Sequence, residues 1–301
     1  MAGISTGIRL GLTLVAALMT LAGVVWLWPF ASTVSPWVLL AIAGLYIFSH
    51  VLRAARLAVL SMNMLGISGR SAALMHFATS PLSLALPFKL GELVRLYELW
   101  RMSGTIVYAI IVLLIDRMYD SLFLVPFLVV FVLMGNEASI LIVFTLLAAV
   151  VPLTVIVIGP KLLTEVQRYV VTSHNNPRTL DVLRQTDAAR LHVIHAARVS
   201  RNRAPELCVI SLLIWLSELL ICVLLVNAVT GGSDPLGLLG ERLVASWWTV
   251  GAGTLAQSAL AITLITVLLP WPLAVFLYLA RRRNEPSRLN SQAHINRRLV
   301  A

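Results

Sequence analysis

LCVISLLIWLSELLICVLLVNAV, residues 207–229, decides the fold. As a helix this run is as long as the roughly 20 residues that cross the hydrocarbon layer of a bilayer, and it carries one charge, Glu218, far from either end. Working outward, comparable apolar runs occupy 8–30, 37–60, 138–159 and 258–280. Over 301 residues the hydrophobic fraction is 59% and the charged fraction 12%, about half the charged share of a soluble domain. The mean hydropathy is +0.91. A soluble core cannot absorb that much apolar surface, so the expected fold class is all-α: a polytopic integral membrane helical bundle of about six full spans plus one or two re-entrant or broken segments.

The first run exceeds the 7–15 apolar residues of a signal peptide and has no small-x-small cleavage pattern, so it reads as a retained span. Cys208 and Cys222 lie fourteen residues apart in one span, about 21 Å along a helix. They cannot bridge, since a disulfide needs Cα atoms within about 7 Å.

The formal charge of +10 sits in two blocks. Segment 161–206 holds eight Lys/Arg against four acids, and the tail 281–301 holds six Arg against Glu285. Positive-inside asymmetry places both in the cytoplasm, with the N- and C-termini on that side of the cell (inner, cytoplasmic) membrane. Contact with anionic headgroups accounts for the excess charge. No nucleic-acid partner is expected, because no motif for one appears. Segment 161–206, centred on Asn175–Asn176–Pro177, reads as two short amphipathic helices or a mobile loop.

Topology then forces both ends of 71–117 to the cytoplasmic side, so that stretch either crosses twice or dips and returns. Pro81 and Pro87 interrupt its first apolar piece. Piece 105–115 has the length of a re-entrant segment, ahead of a span at about 118–135. Irregular backbone at membrane depth needs protein or a water-filled cavity to satisfy it, so 71–117 is expected to line a cavity. A second dip at about 243–257, broken at Gly251–Ala252–Gly253, would precede the span 258–280 and give a paired arrangement of the kind transporters use.

Charges within the apolar segments mark the candidate site. His50, Arg53 and Arg56 recur at spacing three and share one environment; Arg56 can snorkel to headgroups, whereas Arg53 lies a turn deeper and must be paired or solvated. Residues 89–101 alternate in sign at every third position: Lys89, Glu92, Arg95, Glu98, Arg101. Asp116 and Asp120 share a face at i,i+4 and need a cation, which Arg117, Arg95 or Arg53 can supply. Glu218 requires either a basic partner or a transport role. His174, His192 and His195 read as solvated loop histidines, and neither a metal site nor a cofactor is expected.

LPFKLGELVR at Leu86–Arg95, followed by DRMYD at Asp116–Asp120, resembles the membrane domain of lysylphosphatidylglycerol synthases and its stand-alone, flippase-like relatives. Pro87, Lys89, Gly91, Glu92, Arg95, Asp116, Arg117 and Asp120 match the family pattern, with Asp116 where Glu is commoner; Trp215 suits a later span. Near the end the chain departs, with Thr249–Val250–Gly251–Ala252–Gly253–Thr254 in place of a Pro-Gly-Gly-rich stretch and a following acid. The resemblance implies a transmembrane flippase-like domain over 1–280, enclosing the basic loop 161–206, and a basic cytoplasmic tail over 281–301. It further implies movement of a lipid or lipid-linked headgroup, including polyprenyl-linked glycolipids, between leaflets. No aminoacyl-transferring domain follows the last span, so no enzyme activity is expected. The substrate-binding residues so expected are Arg53, Lys89, Glu92, Arg95, Asp116, Arg117, Asp120 and Glu218. Anionic headgroups would engage the arginines, and aminated ones the acids. The alternative is a non-transporting partner or scaffold of an envelope lipid or glycan biosynthesis enzyme.

Overall fold

The computed structural model describes residues 6–32, 34–85, 91–133, 139–173, 177–229, 235–239 and 254–282. These are helical apart from short turns, with no strand among the described residues. The helices are α1 (Thr6–Ala31), α2 (Pro36–Leu65), α3 (Gly69–Ala85), α4 (Gly91–Ser103), α5 (Ile106–Leu133), α6 (Ser139–Val157), α7 (Gly159–Ser173), α8 (Pro177–Asn202), α9 (Ala204–Val229), α10 (Thr254–Leu268) and α11 (Trp271–Arg282).

By length and composition α1, α2, α9 and the run Gln257–Arg281 through α10 and α11 are able to cross a membrane. The α6–α7 pair, bent by 55°, makes a fifth if it counts as one span. At 28 residues α5 is also long enough, although it carries Asp116, Arg117 and Asp120. About six spans therefore agrees with the architecture, and the chain is a multi-pass membrane protein.

The segment 71–117 differs in part from the sequence reading. Helices α3 and α4, of 17 and 13 residues, are each shorter than a span and pair antiparallel: Gly91 lies against Ser83, and Arg95 reaches Thr79. By length they are two short helices side by side and not two full crossings. Piece 105–115, however, is no separate re-entrant element. The chain turns at Gly104, whose φ of 74° belongs to the left-handed region, and α5 then runs unbroken through 106–133. The charges that seemed to interrupt it are neutralised by partners on other helices, so the backbone has no reason to break there.

Helix α2 organises the bundle, packing against α3, α5, α8, α9 and α10. Two apolar clusters lie along it. One gathers Ile42, Tyr46, Leu124, Leu128, Ile221 and Ile262; the other gathers Leu57, Leu60, Met75, Val112, Ile115 and Leu207. On α2 the residues between them are Ser49, His50, Arg53 and Arg56, and on α5 Asp116 and Asp120 fall between Val112 and Leu124, so a polar layer separates the clusters. Two buried tryptophans tie helices together across it, as their N–H groups require a partner: Trp215 Nε1 donates to the Asp120 carbonyl at 2.9 Å, and Trp271 Nε1 to the Ala78 carbonyl at 2.8 Å.

Segment 161–206 forms α7 and α8, so the two-helix expectation holds, although α8 is 26 residues long. Of its histidines, His174 lies outside the described residues, and His192 and His195 sit on α8 rather than in a loop, with His195 exposed. The His192 ring lies 3.8 Å, centroid to centroid, from Tyr108 of α5, and His195 Nε2 donates to the Asn63 carbonyl of α2 at 3.2 Å. Both cysteines are free. The dip expected at 243–257 and the tail 281–301 lie almost wholly outside the described residues.

A Cβ on Gly91 would stand 2.2 Å from the Ser83 backbone nitrogen and 2.5 Å from Leu82 C. Gly91→Ala should therefore separate α3 from α4 and cost ~3 kcal/mol, measured as a lowered melting temperature in detergent. Gly23→Ala, which meets only the Leu268 Cδ1 methyl at 2.9 Å, should melt near the wild type.

Burial first, and His195 second, hold the His192 imidazole below the ordinary histidine range. An undocked His192 takes up its proton near pH ~6.5, and the docked ring only at lower pH. Docking of α8 is thus at full strength above that value and weakens as pH falls through it. Protection factors of α8 amides, taken against the intrinsic exchange rate at each pH, should fall between pH 7.5 and 5.5, and that fall should be absent in His192→Phe.

Candidate functional site

The polar layer is an ion-pair network drawn from four helices. At its base Arg56 of α2, only 1% exposed, sets Nε 2.8 Å from Asp116 Oδ1 and NH1 2.8 Å from Asp120 Oδ1. Its NH1 also donates to Ser211 Oγ of α9 at 2.9 Å. Both aspartates are buried. The i,i+4 spacing of Asp116 and Asp120 turns both carboxylates to the same side of α5, where one guanidinium spans them.

On one flank Arg53 NH2 lies 3.2 Å from Glu218 Oε1 and NH1 3.8 Å from Asp120 Oδ2, while Ser49 Oγ donates to Glu218 Oε1 at 3.0 Å. On the other, Arg117 NH2 lies 3.0 Å from Glu92 Oε1 and 3.5 Å from Asp116 Oδ2, and its NH1 3.3 Å from Asp120 Oδ2. Arg95 completes this side, with NH1 3.3 Å from Glu92 Oε1 and Nε donating to Thr79 Oγ1 at 3.4 Å. The α3–α4 hairpin is what carries Glu92 to α5. Gly91 permits the close approach of the two short helices, and Glu92 is the next residue.

Exposure is graded across the network. The side chains of Arg53, Glu92 and Arg117 are 22%, 22% and 32% exposed, whereas those of Arg95, Asp116, Asp120 and Glu218 are all below 10%. A separate cluster closes the far end of α4, where Glu98 pairs with Arg101 at 2.8 Å and accepts a hydrogen bond from Tyr278 of α11.

Of the eight residues expected from the sequence, Arg53, Glu92, Arg95, Asp116, Arg117, Asp120 and Glu218 therefore converge, and Lys89, with Pro87, lies outside the described residues. Arg56, which the sequence leaves free to snorkel, is instead the most deeply buried cation of the network. Its signal was the spacing His50–Arg53–Arg56. Arg95 does not serve the aspartates but Glu92. Ser49, Thr79 and Ser211 had no signal beyond being polar in an apolar run. Among the described residues no group of three or more His, Cys, Asp or Glu is placed to hold a metal ion.

The family model for the lysylphosphatidylglycerol synthase TM region matches residues 8–247. The chain belongs to that family. Every helix that contributes to the ion-pair network lies within the matched region, and the family places this multi-pass membrane protein in a lipid-related context. No curated protein and no solved structure matches the chain.

Removing Arg56 takes the nearest cation from two buried carboxylates and leaves them only the longer contacts to Arg117 and Arg53, and breaking a buried pair in this way costs about 3–5 kcal/mol. Arg56→Leu should therefore lower the melting temperature sharply. Adding Asp116→Leu should recover part of that loss, so that the double variant is more stable than the two single losses summed. Additive losses would show that the pair is not coupled.

Proposed function

We propose that this protein moves a lipid or lipid-linked headgroup between the leaflets of the cell's inner membrane, with both termini cytoplasmic, as a flippase- or scramblase-like carrier without enzyme activity of its own. The observation that carries the reading is the graded network. Arg53, Glu92 and Arg117 are partly open to the surroundings, yet they rest on an Arg56–Asp116–Asp120 base that is closed. Ionisable groups at membrane depth are costly and typically mark a substrate or ion path. An arrangement serving only stability would have no reason to leave one tier accessible.

The open tier suits a charged headgroup. Arg117 retains a buried Nε–H with no acceptor among the described residues, so a phosphate oxygen gains a donor without dissolving an existing pair. Glu92 already faces two guanidinium groups, and an amine can replace one of them. Acyl chains stay in the bilayer while the headgroup passes along the half-length helices α3 and α4, where a short hairpin leaves the layer incompletely spanned.

Reconstitution into liposomes with fluorescent anionic, zwitterionic, aminated and polyprenyl-linked lipids tests this. Transbilayer movement of at least one class is expected, slowed tenfold or more by Glu92→Gln and Arg117→Ala at temperatures where thermal melting shows each variant folded. Folded protein that moves none of the four would refute transport and leave the scaffold role for an envelope biosynthesis enzyme as the better reading.

A further inference from the structure

Beside the ion-pair network lies a second polar group that the transport reading does not use. His50 of α2 and His76 of α3 are both buried, and His50 Nδ1 stands 3.3 Å from His76 Nε2. Tyr46 packs edge-on against His50 at 4.7 Å between centroids, and Phe77 edge-on against His76 at 5.7 Å. His76 Nδ1 is buried and has no hydrogen-bond partner among the described residues. We propose that the His50–His76 pair is a proton-binding site of one-proton capacity, linked electrostatically to the ion-pair network beside it. The linkage deepens the transport reading and rests on it; the proton site itself does not.

The capacity follows from the chemistry of imidazole. Each neutral ring has one N–H and one bare nitrogen, so the 3.3 Å contact joins one donor to one acceptor. When His76 Nε2 is the donor, His76 Nδ1 is bare, and a proton taken from the medium forms an N–H bond there while the contact between the rings survives. A second proton, on His50 Nδ1, would set two N–H groups against each other and break the contact. The acidic residues of the network are poorer candidates, because Asp116, Asp120, Glu92 and Glu218 are already committed to arginines.

Linkage follows from position. Arg53 is one turn along α2 from His50, and Ser49, next to His50, bonds Glu218. Thr79, one turn along α3 from His76, bonds Arg95. The charged groups around the pair are thus Arg53 of α2, Arg95 and Glu92 of α4, Arg117 and Asp120 of α5, and Glu218 of α9. On α11, which packs on α3, Tyr278 and Arg281 are engaged further along by Glu98 and by Ser68 and Ser71. Among the described residues the network balances four arginines (53, 56, 95, 117) against four carboxylates (92, 116, 120, 218). A proton on the histidine pair makes the region net cationic, so it favours an anionic group in the open tier and disfavours an amine.

Two measurements test the two parts. NMR of 15N-histidine-labelled protein in nanodiscs, with signals assigned through His50→Asn and His76→Asn, should show the two rings titrating together with uptake of one proton. That midpoint should move to higher pH in Arg53→Gln, which removes a neighbouring cation. Two independent titrations, or a midpoint unmoved by Arg53→Gln, would overturn the site whether or not any lipid moves. Binding of short-chain phosphatidylglycerol should tighten severalfold as the pH falls through the midpoint found by NMR and be pH-independent across that midpoint in His76→Gln, with folding checked by thermal melting. A pH dependence that persists in His76→Gln would overturn the linkage. Neither outcome depends on transbilayer movement, so failure of transport in liposomes is distinguishable from failure of the proton site.

Discussion

A guanidinium buried at the 1% level holds this membrane protein in register. Arg56 lies between α2, α5 and α9, and its three contacts at 2.8–2.9 Å can be made in only one relative setting of those helices. In lipid there is no hydrophobic force to draw helices together, because the acyl chains are as apolar as the side chains. A buried charge pair supplies a directional constraint instead: any slip of α5 along α2 pulls the Arg56 guanidinium away from both carboxylates in a medium that cannot solvate it. The apolar clusters on either side then pack around a geometry already fixed by the ions.

The rest of the network is built on that base. Arg53 extends it to Glu218 of α9, and Arg117 extends it to Glu92 of α4. The second extension exists only because the α3–α4 hairpin is tight, and the hairpin is tight because residue 91 has no Cβ. A backbone contact between two short helices thereby controls where a carboxylate sits at membrane depth. The family match, covering residues 8–247, takes in the base, the hairpin and both extensions.

Much of this was legible in the sequence, and the parts that were not share a cause. Apolar run length gave the helical, multi-span class, since crossing a bilayer is a one-dimensional requirement. Charges within those runs flagged the site, because an ionisable residue there cannot be a neutral bystander. Glu218 needed a cation and has Arg53; Asp116 and Asp120 needed one and have Arg56. The partner of each charge was not legible, as pairing depends on how α2, α5 and α9 rotate against one another, and the sequence accordingly leaves open whether Arg56 snorkels or pairs. The break expected at 105–115 failed for a related reason: a helix does not break at charged residues whose partners come from elsewhere.

His192 and His195 show the same limit from the other side. Polar sequence around them suggests solvated loop positions, yet both lie on α8, which sets His192 on Tyr108 and leaves His195 exposed while bonded to the Asn63 carbonyl. The sequence by itself determined that this chain spans a membrane several times and carries more charge inside it than burial alone would tolerate. Only the tertiary structure decided which charges neutralise which, which of them stay accessible, and that two histidines twenty-six residues apart share a hydrogen bond. The physical reason is that hydropathy is local along the chain, whereas compensation of a buried charge is a property of the space between helices.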